Sequence, residues 1–292
     1  MSVLITTYHG TTASELERSV ASVLAQTRQP DQVVLVVDGP VPAALDDAVR
    51  TIEAAHPEVL VERLPHNLGS GPASNHGLRL STGDFVARQD SDDVSVPTRL
   101  ERQMAAVVEH DLDIVGSAVV EFDGDPETVL GTRAAPLTSA AIRRRLRINN
   151  PVNNPSMVFR RELALRVGGY EDVPYHEDYD LVARMIMAGA RAENLPDALV
   201  LFNAGNGMVS RRAGLSMLRH EWLMQRRLLA HRVIGPLGFA RNLVLRGAFR
   251  LLPKRLLTGA YTVLFRRTAR SVDGDAAGGA ARAATGPTRR AP

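Results

Sequence analysis

The chain has 292 residues, 45% of them apolar, which is enough for one large core or for a core with an appendage. It contains no cysteine, which excludes disulfides, thiolate metal sites and cysteine nucleophiles and fits a reducing compartment. We expect no signal peptide, because the first residues lack a basic stretch and a small-residue cleavage site, and no apolar run reaches the roughly 18 residues that span a bilayer.

The net charge of +3 combines two parts of opposite sign. Residues 1–210 carry 18 basic and 29 acidic side chains, whereas residues 211–270 carry 14 basic side chains and a single acidic one. The last 22 residues are rich in Ala, Gly and Arg, a composition typical of disorder. We therefore predict a folded acidic domain over 1–210, a basic helical appendage over 211–270 and a disordered tail over 271–292.

Strands and helices are predicted to alternate over the first 65 residues. Apolar, β-branched runs predict strands at 2–6, 33–37 and 59–64. A capping box formed by Thr12 and Glu15 predicts the start of one helix, and Pro42 starts the next. This alternation argues for a parallel sheet with right-handed crossovers.

Further strands and helices are predicted along the rest of the acidic part. We expect strands at 85–88, 114–122 and 157–159, a hairpin over 121–133, and helices over 73–80, 138–146, 162–167 and 176–187. A helix after Pro97 is expected to bury Leu100, Met104 and Val108.

Beyond residue 211 the pattern predicts two basic amphipathic helices. Their apolar stripes are formed by Leu218, Trp222, Leu229 and Val233, and then by Leu243, Val244, Ala248, Leu251 and Leu252.

A cluster of carboxylates, Asp90, Asp92 and Asp93, follows the strand at 85–88. Three carboxylates in four residues repel one another, and hard cations such as Mg²⁺ or Mn²⁺ take oxygen ligands together with substrate phosphates. The carboxyl end of a strand is also where open α/β sheets bind ligands. The pattern predicts a metal site that holds a nucleotide diphosphate, with a polar turn as the alternative.

Two more acidic positions lie where the sheet should open to ligand. Asp38 ends the second strand, and Glu177-Asp178 open a helix, where the dipole favours a carboxylate. Taken alone, Asp38 is more simply a turn residue and Glu177-Asp178 favourable charge at a helix start.

A series of short segments resembles family 2 glycosyltransferases of the GT-A fold over about residues 2–205. The segments lie, in order, at 3–8, 19–27, 34–40, 67–69, 73–75, 90–93, 154–156 and 177–179. Asp-Gly-Pro after the second strand, Val-Ala-Arg before the acidic cluster and the basic C-terminal helices resemble exopolysaccharide and capsule transferases of the amylovoran type. The resemblance implies an α/β GT-A fold, a mixed and mostly parallel sheet with helices on both faces, followed by a helical C-terminal appendage.

The resemblance also implies roles for residues on the donor side. Tyr8 would stack on the nucleotide base with Thr6 nearby, and Asp38 would bind uracil. The nucleotide-sugar contacts would also include Asn67 and Ala73. Many relatives have a second aspartate where this chain has Gly39, and a basic residue where it has Ser74.

In the acidic cluster, the resemblance places Asp90 near the ribose or in the metal shell and makes Asp92 a metal ligand. Asp178 would be the catalytic base and Glu177 the second choice. An acceptor hydroxyl has a high pKa, so a positioned carboxylate that takes its proton contributes about 10²–10⁴-fold to the rate. The metal, Mn²⁺ or Mg²⁺, would neutralise charge on the departing diphosphate.

Four further residues are candidates for acceptor or phosphate contacts. Asn154 and His176 are candidates for the acceptor pocket, although Asn-Pro is also a common turn and a lone histidine is often incidental. Arg211 and Arg212 follow a glycine-containing loop and are candidates to bind the diphosphate, or are a solvated charge pair.

We therefore predict an inverting, metal-dependent glycosyltransferase that moves a sugar from a nucleotide-sugar donor, a UDP-hexose, to a lipid-linked saccharide in surface polysaccharide biosynthesis. The basic helices would attach it peripherally to the inner face of the cytoplasmic membrane. Packing of those helices on the acidic domain is an alternative, and nucleic-acid binding is not expected.

Two alternative functions remain open at this point. One is a nucleotidyltransferase, which is disfavoured because residues 8–12 lack a glycine-rich loop ending in Arg or Lys. The other is a non-catalytic sugar-nucleotide-binding or membrane scaffold protein, which is disfavoured by the presence of both Asp92 and Asp178.

Overall fold

The structure is a computed structural model that describes residues 1–205 and 215–250. Within these ranges the strands are β1 (Ser2–Thr7), β2 (Gln32–Val37), β3 (Val59–Arg63), β4 (Phe85–Asp90), β5 (Val94–Ser95), β6 (Ile114–Asp123), β7 (Asp125–Arg133), β8 (Val158–Arg160) and β9 (Ala192–Asn203). The helices are α1 (Ala13–Leu24), α2 (Ala43–Ala55), α3 (Ser70–Leu80), α4 (Arg99–His110), α5 (Ser139–Leu146), α6 (Arg161–Arg166), α7 (Glu177–Met187), α8 (Leu215–Ala230) and α9 (Pro236–Arg250). The predicted tail at 271–292, and Arg211 and Arg212, lie outside the described residues.

The strands form one mixed sheet in the order β3-β2-β1-β4-β8-β6-β9-β5, with β7 paired to β6. The pairs β3–β2, β2–β1, β1–β4 and β6–β9 are parallel. The short strand β8 runs antiparallel between β4 and β6, and β6–β7 is the predicted hairpin. The mixed sheet of the prediction is confirmed.

Helices cover both faces of the sheet, so the central strands are apolar on both sides. Leu4 of β1 belongs to a core with α3, α6, α7 and α8, whereas its neighbours Val3 and Ile5 belong to a second core with α1, α2 and α4. This double burial is why β1 and β2 are continuous apolar runs rather than alternating ones.

Several element predictions need correction. The strands β5 and β9 were not predicted, and α3 begins at Ser70 instead of 73, so that Pro72 lies in the first helical turn. Val108 is 78% exposed and Val107 is buried instead. The buried face of α4 includes the polar Gln103, which donates to the carbonyl oxygen of Ser156 at 2.7 Å. The prediction counted only apolar residues as buried and therefore placed this face wrongly.

The stripe predicted for α8 is also wrong in part. Its buried face includes Met217, Met224 and Leu228, whereas Trp222 is 44% exposed. On α9, Val244 is 70% exposed. The part of the appendage that the structure describes packs on the acidic domain, since Met224 and Leu228 lie in the core shared with α7. The boundaries 1–210, 211–270 and 271–292 stay a prediction.

An ion network joins α8 to α7. The carboxylate of Asp180, which is fully buried, accepts from Arg184 Nε at 2.7 Å and from Arg227 Nε at 2.5 Å. Arg227 also donates to Glu171 at 2.6 Å. A buried charge is costly unless it is paired. Because Arg227 of α8 pairs with Asp180 of α7, the packing of α8 on α7 also stabilises the buried charge of Asp180.

None of the helices in the described ranges is both long and apolar enough to cross a bilayer.

Replacing Arg227 by Met should lower the free energy of unfolding by about 1–3 kcal/mol, because the buried carboxylate of Asp180 then loses one of its two arginine partners. Urea unfolding measures this loss. The matched control is Arg219→Met, an exposed arginine of the same helix, for which we expect a change within about 0.5 kcal/mol. Equal effects of the two substitutions would contradict a structural role for the network.

Candidate active site

The carboxyl ends of three parallel strands bring the predicted donor-side residues to one edge of the sheet. In the register of the sheet, Thr6 of β1 lies beside Asp90 of β4, and Thr7 lies beside Val37, the last residue of β2. Asp38 follows directly and donates its backbone N–H to the carbonyl oxygen of Thr7 at 2.8 Å. Thr6, Asp38 and Asp90 therefore share the edge where open α/β sheets bind ligands.

Asp38 fastens the loop that leads into α3. Its two carboxylate oxygens accept from the backbone N–H groups of Leu68 and Gly69 at 2.7 and 3.0 Å, and Asn67 donates to its carbonyl oxygen at 3.1 Å. Gly39 takes a φ of +84°, which only glycine adopts easily. The predicted contacts Asp38 and Asn67 thus lie together, and each carboxylate oxygen has a further lone pair for a ligand.

Tyr8 and Ala73 differ sharply in exposure. Tyr8 follows β1 and is 40% exposed, and its ring lies so close to Gly10 that a side chain there would meet it at 2.6 Å. Ala73 is fully buried in the core beneath α3. The ring of Tyr8 is therefore available for stacking, whereas any ligand contact of Ala73 would have to involve its backbone.

Arg88 holds Asp90 at the end of β4. Its guanidinium donates to Thr6 Oγ1 at 2.7 Å and lies 2.8 Å from Asp90 Oδ1, although Arg88 itself is only 2% exposed. Asp90 and Asp92 are partly buried, and Asp90 keeps 26% of its side chain exposed. The first carboxylate of the cluster is therefore oriented by a buried cation and still open to solvent.

Asp93 is the buried member of the cluster. Its Oδ1 accepts from the backbone N–H of Asn203 at 2.7 Å, and its Oδ2 has no hydrogen-bond partner among the described residues. Burial, and then the charges of Asp92 and Asp90, raise the pKa of the Asp93 carboxyl well above its usual range.

A second buried cation, Arg99, lies beneath the cluster. It donates to Gln89 Oε1 at 2.7 Å and to the carbonyl oxygen of Arg88 at 2.8 Å. Burial lowers the pKa of the Arg99 guanidinium to about 9, against the opposing effect of Asp93 and Asp90, so the group stays charged at neutral pH. The cluster is thus supported from below by fixed positive charge.

The donor atoms of this cluster fit a hard cation that is completed by a substrate. Among the described residues, no group of three or more His, Cys, Asp or Glu side chains can hold a metal ion by itself. Mg²⁺ is commonly bound by one or two carboxylates together with substrate phosphates, so a partial protein site is the expected form. Asp92 and Asp90, at the open side of the cluster, are the residues that would hold it.

Replacing Asp93 by Asn should stabilise the protein increasingly as pH rises. A raised pKa means that folded Asp93 keeps its proton to higher pH than unfolded aspartate, so the free energy of unfolding falls as pH rises from about 4 through the pKa of the folded state. The amide removes this loss. We expect Tm of Asp93→Asn to exceed that of the wild type by several degrees at pH 8 and by less at pH 5, in EDTA. An equal gain at both pH values would contradict the assignment.

The predicted base lies in the first turn of α7. Asp178 Oδ1 accepts from the backbone N–H of Tyr179 and Oδ2 from Asn150 Nδ2, both at 2.7 Å. Glu177 is partly buried beside it. His176 precedes the helix, is 7% exposed, and has its Nε2 3.8 Å from Glu221 Oε2 of α8. His176 is therefore directed toward the appendage.

Two features join the base side to the donor side. The buried hydroxyl of Tyr170 has no hydrogen-bond partner among the described residues, and Arg88, Asp178, Glu177 and Asp90 all act on it electrostatically. Burial, the largest influence, raises the pKa of this hydroxyl. In addition, a side chain at Gly71 of α3 would meet the Glu171 carbonyl oxygen at 2.5 Å and Glu177 Cβ at 3.2 Å. The starts of α3 and α7 are thus in contact.

Asn154 begins a 3₁₀ turn (Asn154–Ser156), and its Oδ1 is buried without a hydrogen-bond partner in the described part of the chain. Its neighbour Ser156 is fully buried and bonded to Ser117, which is a structural role.

Sequence reasoning assigned no role to Arg88, Arg99, Tyr170 or Asn150. A signal existed for Arg88, because an arginine within an apolar strand that ends in carboxylates indicates a buried ion pair. No local pattern indicates Tyr170 or Asn150, since both depend on contacts between distant segments.

Comparison with known proteins identifies the family. The profile of "Glycosyl transferase family 2" matches residues 2–168. The chain belongs to glycosyltransferase family 2. The predicted enzyme class is therefore confirmed: this protein is a glycosyltransferase.

Two relatives of this family 2 glycosyltransferase align over most of their lengths. The amylovoran biosynthesis glycosyltransferase AmsE of Erwinia amylovora is 35% identical over 89% of this chain and 97% of its own. The UDP-Gal:alpha-D-GlcNAc-diphosphoundecaprenol beta-1,3-galactosyltransferase of Escherichia coli is 27% identical over 91% and 96%. The relatives of this family 2 glycosyltransferase thus include enzymes of polysaccharide biosynthesis.

Solved structures confirm the GT-A fold. S. aureus TarS 1–349 in complex with UDP-GlcNAc aligns with a TM-score of 0.62 and 19% identity, covering 90% of this chain and 75% of that one. The mannosyltransferase PcManGT of Pyrobaculum calidifontis, in complex with GDP-Man and Mn²⁺, aligns with a TM-score of 0.59 and 19% identity, covering 91% and 76%.

Proposed function

We propose that this glycosyltransferase transfers a hexose from a UDP-sugar, with inversion and with a divalent cation, to a saccharide carried on a lipid diphosphate. The supporting observation is the separation of two carboxylate groups within one site. Asp90 and Asp92 lie at the end of β4, Asp178 lies in the first turn of α7, and the start of α7 is in contact with the start of α3 at Gly71.

On the donor side, the edge formed by β1, β2 and β4 suits a nucleotide diphosphate. The exposed ring of Tyr8 offers a stacking surface, and the exposed Asn67, on the loop that the buried Asp38 holds, offers a polar contact. Asp92 and Asp90 would hold Mn²⁺ or Mg²⁺, which supplies charge stabilisation for the departing diphosphate when bound. The complexes of the structural neighbours with UDP-GlcNAc and with GDP-Man and Mn²⁺ support this assignment.

On the acceptor side, Asp178 takes the proton of the attacking hydroxyl. The new bond forms between the acceptor oxygen and the anomeric carbon, while the bond from that carbon to the diphosphate oxygen breaks and UDP leaves. Two carboxylate sites therefore serve the two ends of one displacement. Asn154 remains a candidate for an acceptor contact, and Arg211 and Arg212 for contacts with the diphosphate, whereas the buried His176 faces Glu221 of α8.

The acceptor class is supported by one relative. The E. coli galactosyltransferase acts, by its name, on alpha-D-GlcNAc-diphosphoundecaprenol. We propose an acceptor of the same kind, a sugar on a polyprenyl diphosphate at the inner face of the cytoplasmic membrane, in a pathway that builds a surface polysaccharide.

A donor screen tests the proposed function. Purified protein is incubated with Mn²⁺ or Mg²⁺ and a panel of UDP-, GDP- and dTDP-hexoses, with a synthetic GlcNAc-diphosphate lipid as acceptor. We expect release of UDP from one donor, abolished by EDTA and by Asp92→Ala. No release from any donor, together with no thermal shift by UDP and Mn²⁺, would contradict the proposal.

Asp178→Asn separates catalysis from donor binding. The amide keeps the shape of the side chain but cannot take a proton, so turnover should fall at least about 10²-fold while UDP–Mn²⁺ affinity is unchanged. Asp180→Asn is unsuitable as a control because Asp180 supports the fold, whereas Asp172→Asn is exposed and matched in chemistry. Normal turnover of Asp178→Asn would show that another group is the base.

We further propose that the outer face of α9 lies on the anionic membrane surface. Leu237, Val244 and Leu245 are 88%, 70% and 58% exposed and fall on one side of the helix by their spacing. Arg241 lies on the same side and is exposed, and on α8 the guanidinium of Arg226 lies 4.7 Å from the centre of the exposed ring of Trp222. Apolar side chains flanked by arginines are typical of helices that lie in a membrane interface.

Vesicle flotation tests this surface. We expect the full chain to float with vesicles containing anionic phosphatidylglycerol, to float weakly with phosphatidylcholine alone, and to be released by salt. Val244→Glu should reduce flotation severalfold. Val108→Glu changes an equally exposed valine on α4 and should leave flotation unchanged. Equal flotation of both variants would exclude α9 as the contact.

A further inference from the structure

Side chains from distant helices donate hydrogen bonds to the carbonyl groups at the C-terminal end of α5. The last carbonyl groups of a helix have no partner within it. Here the carbonyl oxygen of Leu146 accepts from Tyr179 Oη at 2.5 Å, and that of Arg147 accepts from Asn242 Nδ2 of α9 at 2.7 Å. The next carbonyl oxygen, of Ile148, accepts from Arg246 Nη1 of α9 at 2.6 Å. The segment after α5 is therefore fixed from two sides, by α7 and by α9.

Asn150, two residues further on, contacts the predicted base. Its Nδ2 donates to Asp178 Oδ2 at 2.7 Å, and its Oδ1 accepts from the backbone N–H of Val152 at 3.2 Å. Because a backbone N–H is only a donor, the atom facing Val152 must be the amide oxygen, and the NH₂ group must face Asp178. Together with the N–H of Tyr179 at Oδ1, this bond fixes the plane of the carboxylate.

A second attachment from the appendage reaches the other side of the base. Glu221 of α8 is 2% exposed, pairs with Arg246 of α9, and lies 3.8 Å from His176, which directly precedes α7. Arg246 thus connects the segment after α5, through Ile148, with the start of α7, through Glu221. Both segments that surround Asp178 are anchored on the same arginine.

We propose that Asn150 is a positioning residue that orients the Asp178 carboxylate, and that α9 supports this orientation through Asn242 and Arg246. The inference rests on the proposed function of Asp178 as the base. It gives the C-terminal helices a role in the chemical step, separate from any membrane contact.

Substitution of Asn150 tests the first part. The donor amide is lost in both Asn150→Ala and Asn150→Asp, and in the second a carboxylate also faces Asp178. With the donor identified by the screen and the GlcNAc-diphosphate lipid, we expect kcat to fall about 10–100-fold in Asn150→Ala and further in Asn150→Asp. KM for the donor, the affinity for UDP–Mn²⁺ and Tm should stay near the wild-type values. Unchanged kcat, or parallel losses of UDP affinity and Tm, would overturn the proposal.

The matched control lies in the same segment. Arg147 contributes its carbonyl oxygen to the contact with α9, and its side chain is exposed. Arg147→Ala should therefore retain kcat. A loss as large as that of Asn150→Ala would show that any change in this segment disturbs the site.

A double-mutant cycle tests the second part. Arg246→Lys keeps a positive charge beside Glu221, but a single ammonium cannot bind Glu221 and the carbonyl oxygen of Ile148 with the same geometry. We expect a severalfold lower kcat in the wild-type background and no further loss in the Asn150→Ala background, because both substitutions act through the same hydrogen bond. Independent, multiplicative losses would overturn the role of α9. Arg219→Lys, exposed on α8, serves as the control.

Asp178→Asn distinguishes a wrong assignment of the base from a wrong assignment of the positioning residue. If it abolishes turnover with donor binding intact while Asn150→Ala is fully active, the proposed function stands and the positioning role of Asn150 fails. If Asp178→Asn turns over normally, the base assignment fails and the positioning role fails with it.

Discussion

The structure depends on keeping three carboxylates together at the end of one buried strand. Asp90, Asp92 and Asp93 follow one another within four residues, and Coulomb repulsion between them is strong where water is excluded. Arg88 and Arg99 offset that repulsion from inside the protein, and both guanidinium groups are held by hydrogen bonds to the sheet. The same polar network continues through Gln103 to the carbonyl oxygens of Val115 and Ser156, so the charge at the edge is fixed to the centre of the fold.

Local signals explain which parts were predictable from sequence. The capping box of Thr12 and Glu15 lies within four residues, and the apolar runs of β1 and β2 report burial on both faces; all of these are confirmed. The strand β9 was missed because it contains Pro196, and a proline argues against a strand assignment. The register of its pairing with β6 shifts at that residue. The amphipathic stripes failed where polar side chains are buried, as Gln103 is, since hydropathy cannot distinguish a hydrogen-bonded core position from a solvated one.

The candidate site likewise contains residues that local sequence signals indicate and residues that they do not. The order of motifs indicated Asp38, Asp90 and Asp178 because each lies at the end of a predicted element. Asn150 carried no such signal, because its bond to Asp178 spans 28 residues and depends on how α5 and α7 meet. The hydrogen bonds from α9 carried no local signal either. Its inner side chains donate to the carbonyl oxygens that follow α5, while its outer side chains are exposed. One helix is thus shared between the interior of the site and the surface of the protein.

The contact at Gly71 limits how this site can diversify. A single hydrogen atom separates the start of α3, which follows the loop fastened by Asp38, from the backbone of Glu171 and the Cβ of Glu177. Any larger residue would drive the starts of α3 and α7 apart. The spacing between the loop that Asp38 holds and the start of α7, which carries Asp178, is therefore limited by a backbone contact. Variants of this chain could change the sugar or the acceptor they use through substitutions in the loops around the site, but not through a wider spacing of α3 and α7.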